Sequence, residues 1–237
     1  MNPAMHQNEQ PMEKYRDSNG ISLDVQSIFW TIQGEGPFSG HPAVFIRLAG
    51  CNLQCPGCDT DYTSKRHMMT MPDVVDQVFF YNKLEKPCLV VITGGEPFRQ
   101  NITPLANRLL QCGYQVQVET NGTLAPPDKF PSRAVIVCSP KAGKINQTLM
   151  PEINAFKYVL HKDSQHPDDG LPIQALGHTA KPFVARPPAR DTRPVYLQPM
   201  DVQDIVENQD NTKAVADACM KHGYILQLQV HKIIDVE

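Results

Sequence analysis

Seven short apolar runs recur along this chain, and each ends at a turn or a polar cluster. They are Ala43 to Leu48, Cys88 to Ile92, Tyr114 to Val118, Ala134 to Cys138, Ala155 to Leu160, Pro194 to Leu197 and Tyr224 to Val230. Their Val, Ile, Leu, Phe and Tyr content and their flanking turn residues predict strands. Amphipathic stretches lie between several of them. Asp73 to Leu84 sets Val74, Val78 and Tyr81 on one face, and Ile102, Leu105, Leu109 and Cys112 keep helical spacing. Thr212 to His222 runs to Gly223, a residue suited to a C-terminal cap. Strands alternating with helices give an α/β class with a mostly parallel sheet. The stretch Asn121 to Arg133 is too broken by proline for a full helix, so a regular eight-fold barrel is not expected. Lys162 to Arg193 carries five prolines and reads as a long irregular segment. Residues 1–22 read as a polar, flexible leader, and 23–237 as a single domain.

The polar clusters follow the strands closely. Thr93-Gly94-Gly95-Glu96-Pro97 follows Ile92, Glu119-Thr120-Asn121-Gly122 follows Val118, and Ser139-Pro140-Lys141 follows Cys138. Lys157 lies within its run. Gln198-Pro199-Met200-Asp201 follows Leu197, and His231-Lys232 follows Val230. In parallel α/β folds the carboxyl ends of the strands share one rim, where ligands bind. In Thr93 to Pro97 two glycines expose backbone donors, and the Glu96 carboxylate suits a ligand ammonium group. Gln33-Gly34-Glu35-Gly36 offers an amide, a carboxylate and two permissive glycines. Arg47 sits inside an apolar run in phase with Phe45. A guanidinium there needs a partner, either an internal glutamate or the carboxylate of a substrate.

Cys51, Cys55 and Cys58 stand on one short loop just after Leu48. A structural zinc site would need a second ligand pair at matched spacing, and Cys88, Cys112, Cys138 and Cys219 stand alone. A disulfide framework suits small secreted chains rather than 237 residues with seven cysteines. Three thiolates on a short loop suit a [4Fe–4S] cube with one iron left open. The composition is enough for a real core: 41% of residues are hydrophobic, the net charge is −3, and no run reaches transmembrane length. Neither a nucleic-acid nor a membrane surface is expected, no signal peptide is read, and unpaired cysteines point to the cytoplasm.

Together these residues resemble the radical S-adenosylmethionine superfamily, whose signature is the C-x3-C-x2-C loop. Within it the strings Thr31 to Gly36, Phe45 to Leu48, Gly50-Cys51, Cys58-Asp59-Thr60, Thr93 to Pro97, Glu119 to Thr123, Ser139 to Lys141, Gln198-Pro199 and Val230 to Lys232 are similar to the 7-carboxy-7-deazaguanine synthase family. The resemblance implies a homodimeric, partial (β/α) TIM-like barrel with about six core strands. It implies a 6-carboxy-5,6,7,8-tetrahydropterin substrate, ring-contracted to 7-carboxy-7-deazaguanine with loss of ammonia for the queuosine precursor pathway. It implies a [4Fe–4S] cluster on Cys51, Cys55 and Cys58, S-adenosylmethionine, Mg2+ on Thr60, and an electron donor such as flavodoxin. Cofactor contacts carry over to Gly57, Cys58, Asp59, Gly95, Glu96, Ser139, Pro140, Lys141, Gln198, Pro199, Met200 and Asp201. Substrate contacts carry over to Ile32, Gln33, Gly34, Glu35, Arg47, Thr93 and His231. The competing reading is an activating enzyme that makes a glycyl radical on a protein. It shares the cysteine loop and the Gly-Gly-Glu element but needs neither Gln33, Arg47 nor Thr60. A non-catalytic iron–sulfur protein is a third reading.

Overall fold

The computed structural model describes residues 8–177 and 184–236. Residues 1–7 of the leader, 178–183 of the proline-rich segment and Glu237 lie outside the described residues. Among the described residues nine strands form one sheet: β1 (Ser22–Ile32), β2 (Pro42–Leu48), β3 (His67–Thr70), β4 (Leu89–Gly94), β5 (Gln115–Thr120), β6 (Val135–Cys138), β7 (Ala155–Leu160), β8 (Val195–Pro199) and β9 (Ile225–Leu226). Their order is β3-β1-β2-β4-β5-β6-β7-β8-β9. β1 pairs antiparallel with both β2 and β3, and every pair from β2 to β9 is parallel. The sheet is not closed, because β3 and β9 are its two edges. Six longer parallel strands, β2 and β4 to β8, make the expected partial barrel.

The helices are α1 (Met71–Tyr81), α2 (Thr103–Gln111), α3 (Ile205–His222) and the single turn α4 (Val230–Ile233). Thr70 caps α1 by accepting a hydrogen bond from the Asp73 amide, and Pro72 stands in its first turn, where no donor is needed. α1 buries Val74, Val75 and Val78, and α2 buries Leu105, Ala106, Leu109 and Leu110. These side chains join Val44, Ile46, Leu48, Val90, Ile92, Val116 and Val118 in the main core. Each fully buried aliphatic side chain contributes roughly 1.5–3 kcal/mol. No helix joins β5 to β6, as the prolines between Asn121 and Arg133 require.

Besides β3, a strand that no apolar run announces, three elements differ from the sequence expectation. β1 reads poorly as a strand because a bulge between Val25 and Ser27 breaks its alternation, leaving Val25 and Gln26 both buried. α3 begins seven residues earlier than the apolar spacing suggests. Its first turn exposes Ile205 and Val206 and is held instead by the Asp204 cap, which accepts from the Glu207 amide at 2.9 Å. β9 spans only two residues of the expected Tyr224 to Val230. The buried Gln227 side chain leaves the ladder to donate to the Gly34 carbonyl and accept from the Gly36 amide, and the chain then turns into α4.

Candidate active site

Strand alternation places Phe45 and Arg47 of β2, Thr93 of β4, Glu119 of β5, and Lys157 and Val159 of β7 on the face opposite the helices. They line a cavity of about 410 Å³ at the carboxyl ends of the parallel strands. The cysteine loop forms one wall, and residues Gln198 to Asp201 with α4 form the other. The wall carries every residue nominated from the sequence except Gly34, Glu96 and Pro140. It also carries Glu119 and Lys157, which the sequence places on the polar rim without a role, and Gln229, which the sequence does not single out.

Glu96 is turned inward. Its carboxylate is fully buried and accepts from the Phe98 amide at 3.0 Å, the Thr120 hydroxyl at 2.8 Å and the Asn121 amide at 2.8 Å. Burial pushes it up to about 7, against three donors that favour the charge. It brackets the ends of β4 and β5 and so shapes the rim from behind. Gly95 acts similarly. A β-carbon there would sit 2.0 Å from the Gly50 carbonyl oxygen, so the glycine lets β4 close against the start of the cysteine loop. Gly34 serves a side chain: its missing β-carbon leaves the space taken by the His231 imidazole, 1.9 Å away.

The cavity floor is a buried charge network. Lys157 donates to Glu35 and, at 3.2 Å, to Glu119. Glu35 also accepts from Gln229 at 2.7 Å and Gln198 at 3.2 Å, and Glu119 from Gln33 and Gln117 at 3.0 Å each. Burial alone would raise the Glu35 pKa, but the Lys157 ammonium overrides it and holds the carboxyl at about 2. The two carboxylates likewise raise Lys157 above its ordinary value despite its burial. Two carboxylates face one lysine, so the floor keeps a negative excess suited to donor groups of a ligand. Lys157 was findable: a lysine within an otherwise apolar buried strand needs partners.

Arg47 stacks over the Phe29 ring, with 5.0 Å from its guanidinium carbon to the ring centre. No ion pair links it to a described carboxylate within 4 Å, so the internal glutamate considered above is not its partner. Lys232 of α4 reaches Asp201 at 2.9 Å and Asp59 at 3.7 Å, drawing the two walls together.

A family model for a 4Fe–4S single cluster domain matches residues 32–123. The 7-carboxy-7-deazaguanine synthase of Rhodospirillum rubrum is 41% identical over 225 residues, covering 92% of this chain and 94% of the relative. That of Rickettsia prowazekii is 38% identical over 236 residues, covering 96% and 94%. The chain belongs to the 7-carboxy-7-deazaguanine synthase family. In fold it matches the crystal structure of QueE from Escherichia coli, with a TM-score of 0.67 at 24% identity, over 90% of this chain and 99% of that one. Members of this synthase family are radical S-adenosylmethionine enzymes, and this chain's cofactors are a [4Fe–4S] cluster and S-adenosylmethionine.

The residues present fit those groups. Cys51, Cys55 and Cys58 are all free thiols on the cavity wall. Among the described residues no three ligand side chains converge on a single metal position. A cube needs no such convergence, because each thiolate binds a separate iron. Burial pushes Cys51 up to about 12 and Cys55 up to about 11, so loading the cluster must release protons. Across the cavity the Gln198 side-chain oxygen is buried without a hydrogen-bond partner, an unsatisfied acceptor on the wall assigned to the cofactor.

Proposed function

We propose that the cavity ring-contracts 6-carboxy-5,6,7,8-tetrahydropterin to 7-carboxy-7-deazaguanine with loss of ammonia. The observation that carries this reading is the juxtaposition of an unpaired Arg47 with the Glu35–Lys157–Glu119 floor in one cavity. Arg47 takes the pterin carboxylate in a two-pronged contact. The carboxylates of Glu35 and Glu119 accept from the N–H edge of the pterin, with Gln33 and His231 at its sides. Thr93, beside Arg47 in the β2–β4 register, and Ile32 close the pocket around the ring.

On the other side Gly57, Asp59, Gly95, Ser139, Lys141 and Gln198 to Asp201 hold S-adenosylmethionine against the cysteine loop. Lys141 donates to Ser139 at 2.5 Å, which sets both at the end of β6. Cys51, Cys55 and Cys58 would hold the cluster, which when bound would supply reducing electrons for radical chemistry on the cofactor, and the protein's part is to place and shield the partners. Thr60 lines the cavity and would hold Mg2+, a hard cation that suits a hydroxyl oxygen and would supply charge stabilisation to a carboxylate substrate. A buried, charged floor suits a small polar substrate better than the backbone of a partner protein, which weighs against the glycyl-radical activating reading.

We place the chain as a homodimer that takes electrons from a small donor such as flavodoxin in the cytoplasm. Among the described residues no helix is long and apolar enough to cross a membrane. The substrate reading is tested by anaerobic calorimetric titration of the pterin into the reconstituted protein. The 6-carboxy compound should bind at least about tenfold more tightly than the same pterin without its carboxylate, the lower end for loss of a charged hydrogen-bonded contact. Equal affinities would overturn it.

A further inference from the structure

The polar leader is a sequence feature to which the catalytic reading gives no task. Residues 8–13 lie along the cysteine loop and touch its backbone near every cluster ligand. Met12 bridges Cys51 in a parallel sense, and the Glu13 amide donates to the Cys51 carbonyl at 2.7 Å. The Asn8 side chain donates to the Cys55 carbonyl at 3.1 Å, and its backbone amide to the Pro56 carbonyl at 3.0 Å. Gln10 uses both ends of its amide. It donates to the Thr60 carbonyl at 2.9 Å and accepts from the Tyr62 amide at 2.7 Å and the Thr63 hydroxyl at 3.0 Å. The two side chains are joined, since Asn8 accepts from both the backbone and the side chain of Gln10.

These contacts have a physical reason. Residues 52–63 contain no helix or strand, so their backbone groups have no ladder to pair with. Asn8 is only 7% exposed, and the Tyr62 ring it meets is 1% exposed. Tyr62 in turn accepts the Gly50 amide at its carbonyl, tying the end of the loop back to its beginning. A loop that presents three thiols to a rigid cube gains from being held in shape before the cube arrives. Partners just behind metal ligands set affinity by orienting them. The strap also lies outside residues 32–123, the stretch matched as a cluster domain.

We propose that residues 8–13 are a built-in strap that pre-shapes the cluster loop, with Asn8 and Gln10 as positioning residues for the cysteine ligands and for Thr60. The strap governs how firmly the loop holds its cluster, and it acts without touching iron, cofactor or substrate.

The test uses the full chain, reconstituted anaerobically, with iron release to a ferrous chelator as the readout. Asn8→Ala/Gln10→Ala should release iron at least roughly tenfold faster than wild type, the lower end for loss of partners behind metal ligands. The melting temperature of the cluster-free protein should change little. Arg16→Ala removes the leader's ion pair with Asp24 but leaves the loop contacts, and should release iron at the wild-type rate. Gln10→Glu keeps the acceptor for Tyr62 and loses the donor to Thr60, and should fall between the two. It also serves if the double variant does not fold. Reduced samples should show an altered electron paramagnetic resonance signal in the double variant alone. Release within twofold of wild type would overturn the proposal. So would equal acceleration by Arg16→Ala, or faster release matched by general loosening of the cluster-free protein. No pterin enters the assay, so failure here leaves the substrate reading untouched.

Discussion

Arg47→Ala should lower kcat/KM for the carboxypterin by at least about 25-fold. Truncating one member of a desolvated, hydrogen-bonded charge pair costs about 2–5 kcal/mol, and each 1.4 kcal/mol is tenfold. Arg47 makes no ion pair with a described carboxylate within 4 Å and stacks over the Phe29 ring, so its charge is open to a ligand rather than tied up in the fold. Its removal should therefore spare stability and the uncoupled cleavage of S-adenosylmethionine, and Arg47→Lys should recover only part of the loss. Steady-state kinetics with product and deoxyadenosine measured side by side decides the matter. A change within twofold would remove Arg47 from the substrate site.

The second large effect concerns the floor. Lys157→Ala leaves Glu35 and Glu119 facing each other in a buried site, and should destabilise the fold by about 3–5 kcal/mol at neutral pH. The deficit should depend on pH with a definite sign. In the native protein Glu35 titrates at about 2, below its ordinary 4.5, so the stability it contributes is present above 4.5 and is lost as pH falls through 2. Without Lys157 its burial raises the pKa instead. The variant's stability is then greatest below the unfolded value and falls as pH rises. The gap between the two proteins should narrow from pH 7 toward pH 4.5, measured by urea unfolding at each pH. A deficit that stays constant across that range would show that Lys157 does not neutralise Glu35.

Much of this site was legible because its chemistry is local. The three thiols stand on eight consecutive residues, and the motifs after β4, β5, β6 and β8 each lie at a strand end, where the fold class alone assigns them to one rim. Arg47 was legible from its phase within β2. The floor was not, because Lys157 and Glu35 lie 122 residues apart and meet only when β7 takes its place in the sheet. Glu96 was only partly legible for a related reason. Gly-Gly-Glu reads as an opening toward a ligand, and the fold adds that the carboxylate also accepts from the Phe98 and Asn121 amides and the Thr120 hydroxyl. The leader carries the same lesson: polar residues without periodicity read as loose chain, whereas Asn8 and Gln10 pair the backbone of another irregular loop. Pattern reports burial of side chains well, and it is silent on which polar groups satisfy distant backbone.

Protein reconstituted anaerobically should be given reductant, S-adenosylmethionine, Mg2+ and 6-carboxy-5,6,7,8-tetrahydropterin, and the mixture separated for its products. Both 5′-deoxyadenosine and 7-carboxy-7-deazaguanine are expected, and the second should vanish when the pterin is omitted. Deoxyadenosine formed without any deazaguanine would contradict the assignment.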